Sequence, residues 1–303
     1  VTTNPATDFP LVGAVEAGGT KCRAAIISGD LAIVEQMRVP TTTPAETLGA
    51  IIDFFAAQPD VASLGIASFG PLIVDRDSPE YGSMAPTPKP GWAGTAVLEL
   101  LANAVGVPAD IQTDVEAAAV AEHRVGAGRG YNSIAYITIG TGIGAGVLVD
   151  GKPFRGRDHI ELGHIPVRRM PGDDFEGVCP FHGDCLEGMA SGPAIQARWN
   201  ATPSALDGRD DVWNLEADYL AQLARVLTYS FAPDRILLSG GVGARKHFAP
   251  RVADATKRHL GGYSVSHASS SDLIATAALG NDAGLVGAGL LAQSLLQSPS
   301  PQS

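Results

Sequence analysis

Three cysteines in 303 residues are too few for a disulfide framework and point to a reducing compartment. Positive charge is also scarce. Twenty-one Lys and Arg against 32 Asp and Glu leave a formal charge of −11, and Arg251, Lys257 and Arg258 are scattered, which argues against a nucleic-acid partner. No apolar run approaches the roughly 18 residues of a membrane span, and residues 1–10 lack the basic and apolar regions of an export signal. The expectation is a cytoplasmic protein without a membrane partner. Residues 1–10 and 297–303 are polar and proline-rich and read as frayed tails. With 45% hydrophobic and 17% charged residues, the rest reads as an ordinary globular chain. It is long enough for two modest domains or one large one.

Two of the cysteines fall in the stretch that organises the chain, 161–192 (ELGHIPVRRMPGDDFEGVCPFHGDCLEGMASG). Two residues separate Cys179 from His182, and two more separate His182 from Cys185, a spacing suited to zinc. The turn-rich run Pro171, Gly172, Asp173, Asp174 would let the chain fold back and bring His164 to the same ion. A closed four-ligand shell makes such a metal structural. The plain alternatives are small buried cysteines beside satisfied histidines, or a redox disulfide between Cys179 and Cys185 that leaves the histidines without a purpose. Two acids, Glu161 and Glu187, flank the ligands.

Residues 11–27 (LVGAVEAGGTKCRAAII) are two apolar runs about a Gly-Gly-Thr-Lys turn, predicting a β-hairpin. Gly18 and Gly19 allow backbone N–H groups to approach an anion, and Thr20 and Lys21 add a hydroxyl and a charge. Alone this is weak, since a Gly-Gly hairpin turn needs no ligand. Residues 132–150 (NSIAYITIGTGIGAGVLVD) repeat the layout around Gly140, Thr141, Gly142 and Gly144. The pair suggests a duplicated half with two phosphate loops facing each other across a cleft. A third glycine turn, Gly240-Gly241-Val242-Gly243, follows the buried run 235–239 (RILLS). It suits a flat ring or a ribose, or is simply a tight strand-to-helix turn.

Between these lie further elements. A strand at 31–38 precedes a helix over 43–57 with Thr43 as cap and Pro44 in its first turn. A buried strand over 64–72 ends at Gly70-Pro71, and ligands sit at such strand ends in α/β sheets. The proline-rich run 83–92 is an irregular loop, bearing Lys89 and Trp92 as surface features or as part of a sugar site. A short strand at 108–112 runs into an alanine-rich helix with Asp114 at the junction, either as helix cap or as a rigidly held catalytic base. Helices follow at 192–199 and at 211–231, the latter with Leu215, Leu220, Leu223 and Val226 on one side. The stretch 271–296 is rich in small residues, which fits helices packed closely against a sheet, and it carries GxxxG-like spacing at Gly280, Gly284 and Gly287.

Taken together, EAGGTK, TDVEAAA, TIGTGIGAGV, ELGH, CPFHGDCLEGMASG and LLSGGVG resemble, in this order, the ROK family of sugar kinases over nearly the whole chain. The glutamate of EAGGTK and the CPxHGDC form are similar to the bacterial fructokinase branch. The resemblance implies an α/β actin-like ATPase fold, a duplicated ribonuclease H-like architecture of two domains flanking a cleft. It places an N-terminal domain at 1–117, with a C-terminal helix at about 284–297 packing back on it, and a larger domain at 118–283 that carries the zinc loop. It further implies ATP and Mg²⁺ as cofactors beside Zn²⁺, a hexose substrate and a homodimer.

By the same resemblance Asp114 is the base. Gly70, Thr113, Glu161, His164 and Glu187 join it in binding the sugar. Gly18, Gly19, Thr20, Lys21, Thr141, Gly142 and Gly144 hold phosphates, Gly240, Gly241 and Val242 lie against the adenosine, and Glu16 serves Mg²⁺. Zinc takes His164, Cys179, His182 and Cys185. Many family members have aspartate where Glu16 stands, and asparagine where Thr113 and Glu116 stand. The activity implied is phosphorylation of fructose to fructose 6-phosphate, with another hexose such as mannose or glucose as the alternative. A noncatalytic sugar sensor and a DNA-binding repressor are the readings from other classes; the short stretch before the first strand and the negative charge weigh against the second.

Overall fold

The structure is a computed structural model that describes residues 9–87, 89–263 and 272–297; most of both tails, Pro88 and residues 264–271 lie outside these. The chain divides into two compact units. The first comprises Val1–Ala121, Arg155–His159 and Asp282–Ser303, and the second Glu122–Phe154 and Ile160–Asn281.

The first unit is built on β1 (Val12–Ala17), β2 (Lys21–Ile27), β3 (Ile33–Pro40), β4 (Leu64–Ser68) and β5 (Ala109–Thr113), in the order β3-β2-β1-β4-β5. β1 to β3 are antiparallel neighbours, whereas β1, β4 and β5 run parallel. Alternation sends Val15, Ala17, Cys22, Ala24 and Ile26 to one face and Val12, Ala14, Ala25 and Ile27 to the other, so the sheet is buried on both sides. One face is covered by α1 (Pro44–Ala56) and α2 (Val97–Val105), the other by the C-terminal α9 (Ala283–Gln297). α1 starts where its cap predicts, with Thr43 Oγ1 accepting from the Glu46 N–H at 3.3 Å. α9 comes close because its facing residues are small. A Cβ on Gly287 would collide with the Ala117 carbonyl, and one on Gly65 of β4 with the Ala288 carbonyl.

The second unit repeats the plan. Its sheet holds β6 (Ile134–Ile139), β7 (Ile143–Val149), β8 (Lys152–Pro153), β9 (Arg235–Ser239) and β10 (Ile274–Thr276), in the order β10-β9-β6-β7-β8. Reversed, this is the order of the first sheet, with the antiparallel β6–β7 hairpin in the place of β1–β2 and the parallel β9 and β10 in the places of β4 and β5. The helices are α4 (Leu186–Ala190), α5 (Gly192–Trp199), α6 (Asp210–Phe231), the short α7 (Gly240–Gly243) and α8 (Phe248–Leu260). α6 is buried more widely than its leucines suggest. Leu220 and Leu223 lie in the core with Val212, Trp213 and Tyr219, while Leu215 and Val226 are only half-buried. α3 (Asp114–Val125) begins in the first unit and ends in the second. No described helix is long and apolar enough to cross a membrane.

Candidate functional site

In the first unit, β5 delivers Asp114 as the first residue of α3. The cap is Thr113, whose Oγ1 accepts from the Glu116 N–H at 3.3 Å. Asp114, half-buried, accepts from the adjacent Val115 N–H at 2.8 Å through Oδ1. The capping role that the sequence offered to Asp114 thus falls to its neighbour Thr113. Glu116 does not add a free charge beside them, because its largely buried carboxylate is paired with Arg155.

The Gly18–Lys21 turn closes the β1–β2 hairpin, with the Gly18 N–H donating to the Lys21 carbonyl at 3.0 Å and Gly19 and Thr20 exposed. The Lys89 ammonium reaches this turn and donates to the Gly19 carbonyl at 2.7 Å. Trp92, entertained above as part of a sugar site, is instead a core residue. It is fully buried, and its indole N–H donates to the Thr42 carbonyl at 2.8 Å. Its burial anchors the loop that presents Lys89. Glu16 sits on β1 two residues before Gly18, with Oε2 3.5 Å from Arg23 Nη1; Arg23 also pairs with Asp282 at 2.7 Å and Gln36 at 2.8 Å. Burial raises the Glu16 carboxyl above the ordinary carboxylate range, against the pull of Arg23 and Lys21. Gly70, which precedes a cis peptide bond to Pro71, lies under the ring of His159, whose Nε2 accepts from the Leu72 N–H at 3.1 Å.

In the second unit the Cys/His cluster assembles as its spacing predicts. Cys179 and Gly183 exchange backbone bonds of 3.1 and 2.9 Å in a tight turn that carries His182, and Pro166 bridges to Cys185, which draws His164 in. One ligand atom from each of His164, Cys179, His182 and Cys185 lies within 4.8 Å of the others. Sγ–Nδ1 separations are 3.8 Å (Cys179–His164), 3.7 Å (Cys179–His182) and 3.5 Å (Cys185–His164). A tetrahedral zinc with ordinary Zn–S and Zn–N lengths sets such pairs about 3.6 Å apart, so the donor set fits that ion in chemistry and spacing. Burial pushes the Cys185 thiol up to about 11 when no cation is there to compensate the thiolate.

His164 offers Nδ1 to this cluster and turns Nε2 toward Glu187 Oε1 at 3.9 Å. The other oxygen of Glu187 accepts from the Ile143 N–H at 2.9 Å, and a Cβ on Gly142 would come within 2.6 Å of it. Glu187 therefore joins the metal cluster to the β6–β7 turn that carries Thr141, Gly142 and Gly144. Glu161 is exposed and precedes the 3₁₀ turn Leu162–His164, its carbonyl accepting from the His164 N–H at 3.0 Å. The same turn of β6–β7 also meets two helix starts. The Gly192 N–H donates to the Gly140 carbonyl at 2.8 Å, and Gly240 (φ 81°) lies so close to the Ile139 backbone that a Cβ would clash. Gly241 is exposed, but Val242 is 2% exposed in the core, which leaves only its backbone to meet a ligand.

The sequence did not single out Lys89 as a neighbour of Gly19, or His159 beside Gly70. The first is 70 residues away in the chain and the second 89, and neither spacing carries a local signal.

Twin sheets of this order, each with a glycine-turned hairpin, define the actin-like ATPase architecture. The chain belongs to the ROK family, whose model matches residues 12–295. It is 41% identical to a fructokinase of Pediococcus pentosaceus, over 95% of this chain and 99% of that one. A fructokinase of Zymomonas mobilis subsp. mobilis is 42% identical over 94% and 97% of the two chains. Among solved structures, a ROK family glucokinase from Streptomyces griseus in complex with glucose and AMPPNP matches with 26% identity and a TM-score of 0.71, over 94% of this chain and 99% of its own.

Proposed function

We propose that this protein is an ATP- and Mg²⁺-dependent fructokinase that phosphorylates fructose to fructose 6-phosphate. The sugar is argued from the similarity to fructokinases over nearly the full length of both chains. The observation that carries the chemistry is the division of labour at the β5–α3 junction: Thr113 caps the helix, so Asp114 is not needed as the cap. A carboxylate braced at the start of a helix suits a general base that orients the attacking hydroxyl.

In this reading Asp114 accepts the proton of the sugar hydroxyl while the sugar oxygen attacks the γ-phosphorus and ADP leaves. Phosphoryl transfer depends on positioning and on offsetting charge. The exposed Gly18–Lys21 turn and the Thr141–Gly144 turn would receive phosphate oxygens on their N–H groups. Lys21 and Lys89 would add positive charge at the first of them. Gly240 and Gly241, with the Val242 backbone, would lie along the adenosine. Glu16 is an acid that would serve Mg²⁺, which binds chiefly through substrate phosphates and offsets their charge. Arg23 already takes part of its charge, which suits a contact through water better than a direct bond. Glu161, His164 and Glu187, with Thr113 and Gly70, would bind the remaining sugar hydroxyls. His164, Cys179, His182 and Cys185 would hold a structural zinc, which cross-links the loop and takes no part in the reaction.

The test is a coupled ADP-release assay with ATP and Mg²⁺ against fructose, mannose, glucose and N-acetylmannosamine. A kcat/KM highest for fructose is expected. A preference for mannose or glucose would move the substrate and keep the reaction, and no turnover with any sugar would favour a noncatalytic sensor.

A further inference from the structure

The segment Arg155–His159 follows β8 in the chain yet belongs to the first unit, where three of its side chains find partners. Arg157 lies 3.8 Å from Asp75, and His159 accepts from the Leu72 N–H. Arg155 makes the most pointed contact. Its Nε donates to Glu116 Oε1 and its Nη2 to Gln112 Oε1 at 3.3 Å. Both acceptors belong to residues in the core, Gln112 at the end of β5 and Glu116 in the first turn of α3. They stand two residues before and two residues after Asp114. One rigid guanidinium fork therefore spans the junction that carries Asp114, tying the end of the strand to the start of the helix.

We infer that Arg155 is a positioning residue for Asp114; the inference rests on the reading of Asp114 as the base. Arg155 acts in two ways. It fixes the backbone across 112–116, and displacing a catalytic group by about 1 Å costs up to roughly a hundredfold in rate. It also compensates the buried Glu116 carboxylate, which would otherwise be left unpaired in the turn that begins with Asp114. The pairing further gives the buried Glu116 carboxylate a purpose: it is the acceptor that Arg155 requires.

The experiment compares Arg155→Met, Arg155→Lys, Arg155→Met/Glu116→Gln and Asp114→Asn with the wild type by fructose-dependent ADP release and thermal melting. Arg155→Met should lower kcat about 10- to 100-fold while both KM values stay within about threefold. Arg155→Lys, which keeps the charge but loses the fork, should fall between wild type and Arg155→Met, and it carries the test if the methionine variant does not fold. Adding Glu116→Gln should recover part of the lost kcat, the share due to the unpaired carboxylate, since an uncharged amide needs no guanidinium partner, while the share due to the missing fork stays lost. A wild-type kcat in Arg155→Met, or a loss shared by kcat, both KM values and melting temperature that Glu116→Gln does not rescue, would overturn the inference. Asp114→Asn keeps the two readings apart. Its inactivity beside a fully active Arg155→Met sinks only the role of Arg155, whereas an active Asp114→Asn removes the base and the positioning residue with it.

Discussion

A lysine ammonium that donates one hydrogen bond to a peptide carbonyl keeps other N–H donors pointing outward. Lys89 is in that position at the Gly19 carbonyl, on the exposed tip of the first hairpin. A charged hydrogen bond to a phosphate contributes about 1.5–3 kcal/mol, so Lys89→Met should raise the KM for ATP about tenfold or more, with the KM for fructose little changed. Initial rates at varied ATP read this directly; an unchanged KM for ATP would leave Lys89 as a mere tether of the turn. At this scale the sequence was legible where the partner is close in the chain. Thr43 was identified as a cap from the residues around it, and Asp114 was located at its junction. It was not legible where the partner is remote. Nothing near Lys89 announces Gly19, and nothing near Trp92 distinguishes an indole buried against Thr42 from one on a surface.

Among the elements, the loop with the Cys/His cluster owes its shape to two sets of constraints. One is the Cys/His cluster, whose last three members are evenly spaced and readable in advance. The other was not readable, because it is a buried polar network between the loop and two helices. Gln222 of α6 exchanges bonds of 2.7 and 2.8 Å with the Arg168 backbone, and Tyr219 OH donates to Asp173 at 2.5 Å. Arg198 of α5 reaches Asp173 at 3.2 Å and Glu216 at 2.7 Å. Removing zinc should therefore loosen the loop without unfolding the unit. A chelator is expected to inactivate slowly and to lower the melting temperature by about 5 °C or more, as loss of a few kcal/mol does in a protein of this size. Stripped protein with full activity and an unshifted melting curve would refute a structural zinc.

The same network makes a pH prediction. Burial outweighs Arg198 and raises Glu216 from 4.5 to about 7, and Glu216 Oε2 has no hydrogen-bond partner among the described residues. A carboxyl raised in the folded state contributes stability fully present below pH 4.5 and lost as pH rises through about 7. Between pH 5 and pH 8 the wild type should lose up to about 3 kcal/mol that Glu216→Gln does not lose. Chemical unfolding of both proteins across this range measures the difference, and parallel pH profiles would contradict it.

For the whole molecule, duplication was the most legible property. Two apolar hairpins turning on glycine predicted a repeated half, and the two sheets share one strand order because each hairpin is extended by parallel strands on the same side. The share of chain belonging to each unit was harder to foresee. α9 packs on β1 and β4 in the first unit, where the family resemblance places it, whereas Arg155–His159 joins that unit through ion pairs and hydrogen bonds with residues some 40 to 90 positions away, which no local signal announces. The proposed function, a kinase with Asp114 as its base, belongs to the chain as a whole. Its most direct test is fructose-dependent ADP release by wild type and Asp114→Asn, with fructose binding to both followed by calorimetry. Turnover should fall by at least about a hundredfold in the variant while fructose still binds. Retained turnover in Asp114→Asn would contradict the account.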